Sequence, residues 1–173
     1  TAEEAEIPRI IFVNKLDREN ANYYRVLDNL KENFGIKVIP VMLPIGVEDS
    51  FSGVVDILKQ KAYKFEGTKV SEIAVPDDLK EKMEEYRESL VEAAAEGDDE
   101  ILMKYLEGES LSDEEIFSGL KQGVKKAKVV PVFCGSALKN IGVQPVLDAI
   151  VELFPSPIEA MKDQGKEAKN EPL

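Results

Sequence analysis

Two short apolar runs limit what this chain can fold into. Ile7-Pro8-Arg9-Ile10-Ile11-Phe12-Val13 and Val129-Val130-Pro131-Val132-Phe133-Cys134 are rich in β-branched residues and lack period-two alternation. Strands of that kind are buried on both faces, the situation of a parallel sheet covered by helices. Each run breaks off into polar or small residues: Asn14-Lys15-Leu16-Asp17 after the first, Gly135-Ser136-Ala137-Leu138 after the second. In an open α/β sheet, the carboxyl ends of the strands are where ligand-binding groups are presented. An α/β fold with two such turns is therefore expected.

The segments between the runs fall into two groups. Beyond Asp17, Tyr23, Leu27, Leu30 and Phe34 recur at helical spacing, and Gly35 stands where a helix C-terminal cap belongs. Lys37 to Leu43 reads as a second strand, with Pro40 tolerated only at an edge or bulge. Strand, helix and strand in this order form a βαβ unit. From Gly46 to Phe65 small, β-branched and aromatic residues alternate, as in short antiparallel strands, and Glu66-Gly67-Thr68 reads as a turn.

Three helices follow. The first, over 78–96, has a capping-box-like Asp78/Glu81 pair and a stripe of Leu79, Met83, Tyr86, Leu90 and Ala94. The second covers 98–107, with Tyr105, like Tyr86, expected in the core; the third opens on Ser112 and Glu115 and runs through Ile116, Leu120 and Val124. After the second buried run, a last helix carries Val143, Val146, Leu147, Ile150 and Phe154, with Pro145 in its first turn and Pro155-Ser156-Pro157 ending it. The expected organisation is a parallel core from 1–45 and 128–157, an α+β insertion at 46–127, and a polar linker at 158–173.

Charge marks the insertion. The chain carries 34 acidic and 22 basic residues, a net charge of −12, which argues against a nucleic-acid-binding face. Between Glu72 and Ser118 there are 17 acidic residues and four basic ones, so the rest is nearly neutral. No apolar run is long enough to span a bilayer, and no membrane partner is expected. The single cysteine, Cys134, rules out an internal disulfide framework and reads as a small buried side chain. Histidine is absent, which removes the commonest general base and metal ligand; no catalytic or metal-binding residue is assigned.

The two turns suit recognition of a guanine base. Guanine offers N1–H and its N2 amine as adjacent donors, and one aspartate accepts both, an arrangement adenine cannot supply. Asp17 fits that role and Ser136 could orient it. Asn14 suits N7 and a brace to neighbouring backbone, the Lys15 stem can lie along the base, and a backbone N–H near Ala137 can donate to O6. Asn, Asp and Ser after a strand also serve ordinary turns through their own backbone hydrogen bonds, so both readings stand on composition alone.

Phe-Val-Asn-Lys-Leu-Asp-Arg at 12–18 and Cys-Gly-Ser-Ala-Leu-Lys-Asn-Ile-Gly-Val-Gln-Pro at 134–145 resemble the base-recognition motifs of translational GTPases. Pro44-Ile45-Gly46, Gly53-Val54-Val55-Asp56, Lys61-Ala62-Tyr63 and Glu107-Gly108-Glu109 resemble the bacterial elongation factor G family, including the subdomain inserted in its G domain. The resemblance is collinear over about residues 7–157, and Asn170-Glu171-Pro172-Leu173 looks like the start of that family's second domain. It departs at Leu16, where the family more often has Met, and at Leu138-Lys139-Asn140-Ile141, where it has Phe-Lys-Asn-Lys.

The resemblance implies part of a P-loop-type GTPase sheet, its guanine-binding half, in a cytoplasmic, ribosome-associated factor that promotes translocation. It puts guanine contacts on Asn14, Lys15, Asp17, Ser136, Ala137 and Leu138, with GTP or GDP as the bound nucleotide. Mg²⁺ is expected in the parent protein, but no Gly-x-x-x-x-Gly-Lys-[Ser/Thr], Asp-x-x-Gly or switch threonine occurs here. The chain alone is expected to bind GTP weakly and not to hydrolyse it.

Glu81, Glu85, Glu88 and Glu92 repeat along the first helix of the insertion on a face away from its apolar stripe, with only Lys82 and Arg87 nearby. Such a row is commonly a solvated face, and it is also a surface for a cationic partner. The resemblance implies the C-terminal domain of the ribosomal stalk protein as that partner. Alternative readings are an acidic protein-docking module with vestigial nucleotide turns, a class-II release factor, or a divergent paralogue.

Overall fold

The computed structural model describes residues 7–34, 37–67, 69–156 and 158–159; Gly35, Thr68, Pro157 and the segment 160–173, including Asn170 to Leu173, lie outside the described residues. Along the chain the elements are β1 (Ile11–Val13), α1 (Tyr23–Asn33), β2 (Lys37–Pro40), β3 (Met42–Ile45), β4 (Gly53–Asp56), β5 (Lys61–Glu66), β6 (Lys69–Ile73), α2 (Asp77–Ala95), α3 (Asp99–Leu106), α4 (Asp113–Lys125), β7 (Val129–Cys134) and α5 (Val143–Leu153). The fold is α/β, with a three-stranded parallel sheet and a four-stranded antiparallel one.

Strand β7 is buried along its whole length because it is the central strand, in the order β1-β7-β2. The first and last apolar runs are thus neighbours, and β7 separates the two strands of the expected βαβ unit. The first strand is shorter than its apolar run, starting at Ile11 rather than Ile7. Gly135 N–H donates to Val13 O at 3.0 Å, so the odd-numbered residues of β7 face β1. Pro131 is one of them, and its missing N–H ends the ladder before Ile11.

The expected strand over Lys37–Leu43 is two strands in different sheets. Pro40 closes β2, an edge strand, as its missing donor requires. Val41 then joins the sheets: its N–H donates to Val132 O and its carbonyl accepts from Ile57 N–H, both at 3.0 Å. The antiparallel sheet runs β3-β4-β5-β6, as the alternation from Gly46 onward predicts, with an added strand at Lys69–Ile73.

Helices α2 and α4 pack together, α2 against β2 and α4 against β7, so the acidic block shares one core with the parallel sheet. Leu90, Leu120 and Val124 are fully buried; each such side chain contributes about 1.5–3 kcal/mol relative to exposure. Close approach of α2 and α4 depends on Gly119, where a Cβ would lie 2.2 Å from Ala94 O. The Ser112/Glu115 capping box forms as the sequence predicts: Glu115 N–H donates to Ser112 Oγ at 3.2 Å and Ser112 N–H to Glu115 Oε2 at 2.9 Å.

The Asp78/Glu81 box does not form. Pro76 precedes the helix instead, with its fixed φ suited to a helix start, and Asp77 pairs with Lys80 at 2.6 Å. Tyr86 is half-buried against the core, whereas Tyr105 is exposed, because α3 buries chiefly Ile101. Among the described residues no helix is long and apolar enough to cross a membrane.

Candidate functional site

Strands β1 and β7 pair with Val13 opposite Cys134, so they end side by side and present their turns together. Leu16 N–H donates to Gly135 O at 3.2 Å, carrying the pairing into the turns. Asn14 then ties one turn to the other. Its Oδ1 accepts from Lys15 N–H at 2.8 Å and from Ala137 N–H at 3.0 Å. Lys15 adopts φ of 64°, a left-handed conformation that the Asn14 contact supports.

The second turn is closed on itself. Ser136 and Ile141 exchange two backbone hydrogen bonds of 3.0 Å, and Asn140 N–H donates to Ala137 O at 3.2 Å. Lys139 N–H donates to Ser136 Oγ at 3.2 Å. Gly142 makes the closure possible: its φ is +77°, and a Cβ would meet Cys134 O at 2.4 Å. Cys134 is fully buried, and burial pushes its thiol pKa up, which fits a packing role.

Asp17 is 8% exposed, and its Oδ1 is buried with no protein partner. A hydrogen bond with Ser136 holds its pKa below the ordinary value of 3.8 against the opposing effect of burial, and Lys139 and Arg18 act in the same direction as Ser136. The carboxylate is thus ionised, shielded and short of a donor. An acceptor in that state selects a ligand carrying N–H groups.

Around it Asn14, Lys15, Ala137 and Leu138 are exposed, Leu138 to 78%, while Ser136 is buried. The structure therefore brings all six predicted residues to one place. It alters one expected contact: Ala137 N–H is taken by Asn14 Oδ1 rather than left for a base oxygen. The Leu138 N–H has no acceptor among the described residues. The roles of Ile141 and Gly142 were not read from the sequence; the Ile-Gly step just before a helix is the signal that marks them.

The acidic row on α2 is exposed at Glu81, Glu85, Glu88 and Glu92, but its neutralisation differs from expectation. Glu92 lies 3.5 Å from Lys37 Nζ, which also pairs with Glu96 at 3.0 Å. Lys82 sits 3.9 Å over the Tyr24 ring, and Arg87 donates to Ile57 O, Leu58 O and Asp113. Neither cation bridges the row. Among the described residues Glu81, Glu85 and Glu88 form no ion pair. No group of three or more His, Cys, Asp or Glu among the described residues is placed to hold a metal ion.

The model of the family described as "Elongation factor Tu GTP binding domain" matches residues 1–156. A crystal structure of a protein from Thermus thermophilus is similar to this chain with 34% sequence identity and a TM-score of 0.83. The match covers 91% of this chain and 24% of that protein, so the chain spans about a quarter of the length of that relative.

Proposed function

Because the chain belongs to the family of elongation factor Tu GTP-binding domains, a family of translational GTPases, we propose that its two turns select guanine. The observation that carries this reading is the buried, unpartnered Oδ1 of ionised Asp17 beside the Asn14–Ala137 bond. Asp17 accepts from guanine N1–H and the N2 amine. Lys15 lies along the base, Asn14 fixes the spacing of the turns and faces N7, and Ser136 orients Asp17. The Leu138 N–H is the donor toward O6, with Ala137 small enough to let the base approach.

The finer assignment is elongation factor G, a cytoplasmic factor that hydrolyses GTP with Mg²⁺ and drives translocation on the ribosome. The collinear motifs from Pro44 to Glu109 support it over a class-II release factor. This chain carries base selection; the phosphate-cradling and hydrolytic motifs do not occur among its 173 residues. The exposed Glu81, Glu85 and Glu88, free of ion pairs among the described residues, support docking of a cationic partner, the stalk protein's C-terminal domain, with Glu92 contributing less because Lys37 engages it.

Asp17→Asn in the full-length protein tests the base assignment. The substitution replaces an acceptor of two donors with a group that suits the C2 carbonyl of xanthine. Preference is expected to move from guanine to xanthine nucleotides, and unchanged guanine preference rejects the role of Asp17. For the acidic row, Glu85→Lys with Glu88→Lys is expected to weaken stalk-domain binding and flatten its salt dependence.

A further inference from the structure

The acidic block has a second outward surface, on α3, separate from the glutamate row of α2. This eight-residue helix packs on α2 and buries chiefly Ile101. Met103 is 59% exposed and Leu106 71% exposed. They stand three positions apart, which puts both on one face of the helix. Leu102, half-buried, stands one helical turn before Leu106.

The surroundings carry one sign of charge. Asp99, Glu100, Glu107 and Glu109 are all exposed, and among the described residues none of them forms an ion pair. Lys104 is the one basic residue on α3, and Glu115 of α4 takes its ammonium. Glu115 is anchored in turn by the Ser112 capping box. The helix therefore turns its cation toward its own fold and leaves methionine, leucine and carboxylates outward. Carboxylates alone are consistent with a solvated surface; an exposed Met–Leu ridge between them is not needed for that. Methionine is also an adaptable contact residue.

We infer that the Met103–Leu106 ridge of α3 is a docking site for a basic amphipathic helix of a partner protein. The apolar stripe of such a helix lies on Met103 and Leu106, and its lysines or arginines reach the flanking carboxylates. Charge complementarity favours this occupant over a second copy of the chain, because two copies of net charge −12 would bring like-charged blocks together. The site involves none of the α2 glutamates.

The probe is a fluorescein-labelled helical peptide of leucine and lysine, with leucines at helical spacing, titrated with the 173-residue chain by anisotropy near physiological salt. Met103→Asp with Leu106→Asp is the informative variant, because it adds two negative charges while removing the ridge. Attraction by charge alone predicts tighter binding; ridge docking predicts loss of at least about tenfold. Both positions are exposed, and thermal unfolding monitored by circular dichroism confirms that the variant remains folded. Glu85→Lys with Glu88→Lys, and Leu147→Asp with Val151→Asp on the exposed face of α5, are expected to change affinity less than the ridge variant. Unchanged or tightened binding by the ridge variant overturns the inference, as does a larger loss from the α5 variant. A dimer in sedimentation that the ridge variant dissolves also overturns it, by naming a second copy as the occupant.

Discussion

Asn14 and Ala137 stand 123 positions apart in the chain and are joined by a 3.0 Å hydrogen bond from the Ala137 N–H to Asn14 Oδ1. The same oxygen accepts from Lys15 N–H at 2.8 Å, so one side chain sets the shape of the first turn and its distance from the second. The proposed base selection requires both turns at a fixed separation, and this bond holds them together. Asn14→Ala removes two acceptor contacts, each with a net value of about 0.5–1.5 kcal/mol. In the full-length protein, guanine-nucleotide affinity is expected to fall about ten- to hundredfold by calorimetric titration. In this chain, hydrogen exchange at the Ala137 amide is expected to speed up, while amides within β7 keep their protection.

Asp17 and Ser136 give a prediction in pH. The Ser136 hydrogen bond lowers the folded-state pKa of Asp17 below its ordinary value of 3.8. A depressed carboxyl stabilises the fold above the unfolded pKa and loses that contribution as pH falls through the folded value. Ser136→Ala is expected to raise the Asp17 pKa toward or past 3.8, because burial then acts with less opposition. Carboxyl-carbon NMR titration of the wild type and variant reads this directly. A downward shift in the variant contradicts the assigned cause.

Legibility from sequence followed how local the physics was. The Ser112/Glu115 box needs only residues three apart, and it forms as expected. The buried character of Val129–Cys134 was visible because every position in it is apolar or small. Its place between β1 and β2 was not, because those pairings join segments far apart in the chain. Pro40 signalled an edge, but the change of sheet at Val41 depends on bonds to Val132 and Ile57, far away in the chain. At the site, residue types and spacing pointed to Asn14, Lys15, Asp17, Ser136 and Ala137, and Leu138 was added only by the family resemblance. The engagement of Ala137 N–H by Asn14 was invisible, because it links turns that only the folded sheet brings together. Glu92 departed from expectation for a similar reason: its neutralising Lys37 comes from β2.

Gly119 tests the helix pairing that attaches the acidic block to the parallel sheet. A Cβ there would stand 2.2 Å from Ala94 O and 2.8 Å from Ala94 C, both backbone atoms that cannot swing aside. Gly119→Ala improves helix propensity, a gain of about 1 kcal/mol for a helix interior taken alone. Overpacking of a close backbone contact costs about 1–3 kcal/mol and is expected to dominate. The chain should unfold at lower urea, with the change read as a lower midpoint. An increase in stability would mean that α2 and α4 are not pressed together at this point.

Arg87 and Asp113 form the sharpest contrast between an ion pair and a structural tie. The Arg87 side chain is 14% exposed and its Nη2 lies 2.7 Å from Asp113 Oδ1, whose side chain is 73% exposed. Its other terminal nitrogen donates to Ile57 O at 3.2 Å and Leu58 O at 3.1 Å, at the end of β4. One guanidinium thus links α2, the β4–β5 connection and the first turn of α4. Asp113→Ala removes only the exposed partner, and its cost is expected to stay below about 1 kcal/mol. Arg87→Ala removes the donors for two backbone carbonyls as well as the pair, at an expected cost of about 2–3 kcal/mol. Arg87→Lys should recover little, because a single ammonium lacks the planar fork that reaches carbonyls and carboxylate at once. Urea unfolding of the three variants, compared at unchanged slope, gives the ranking. Equal losses for Asp113→Ala and Arg87→Ala would place the stabilisation in the ion pair instead of in the carbonyl contacts.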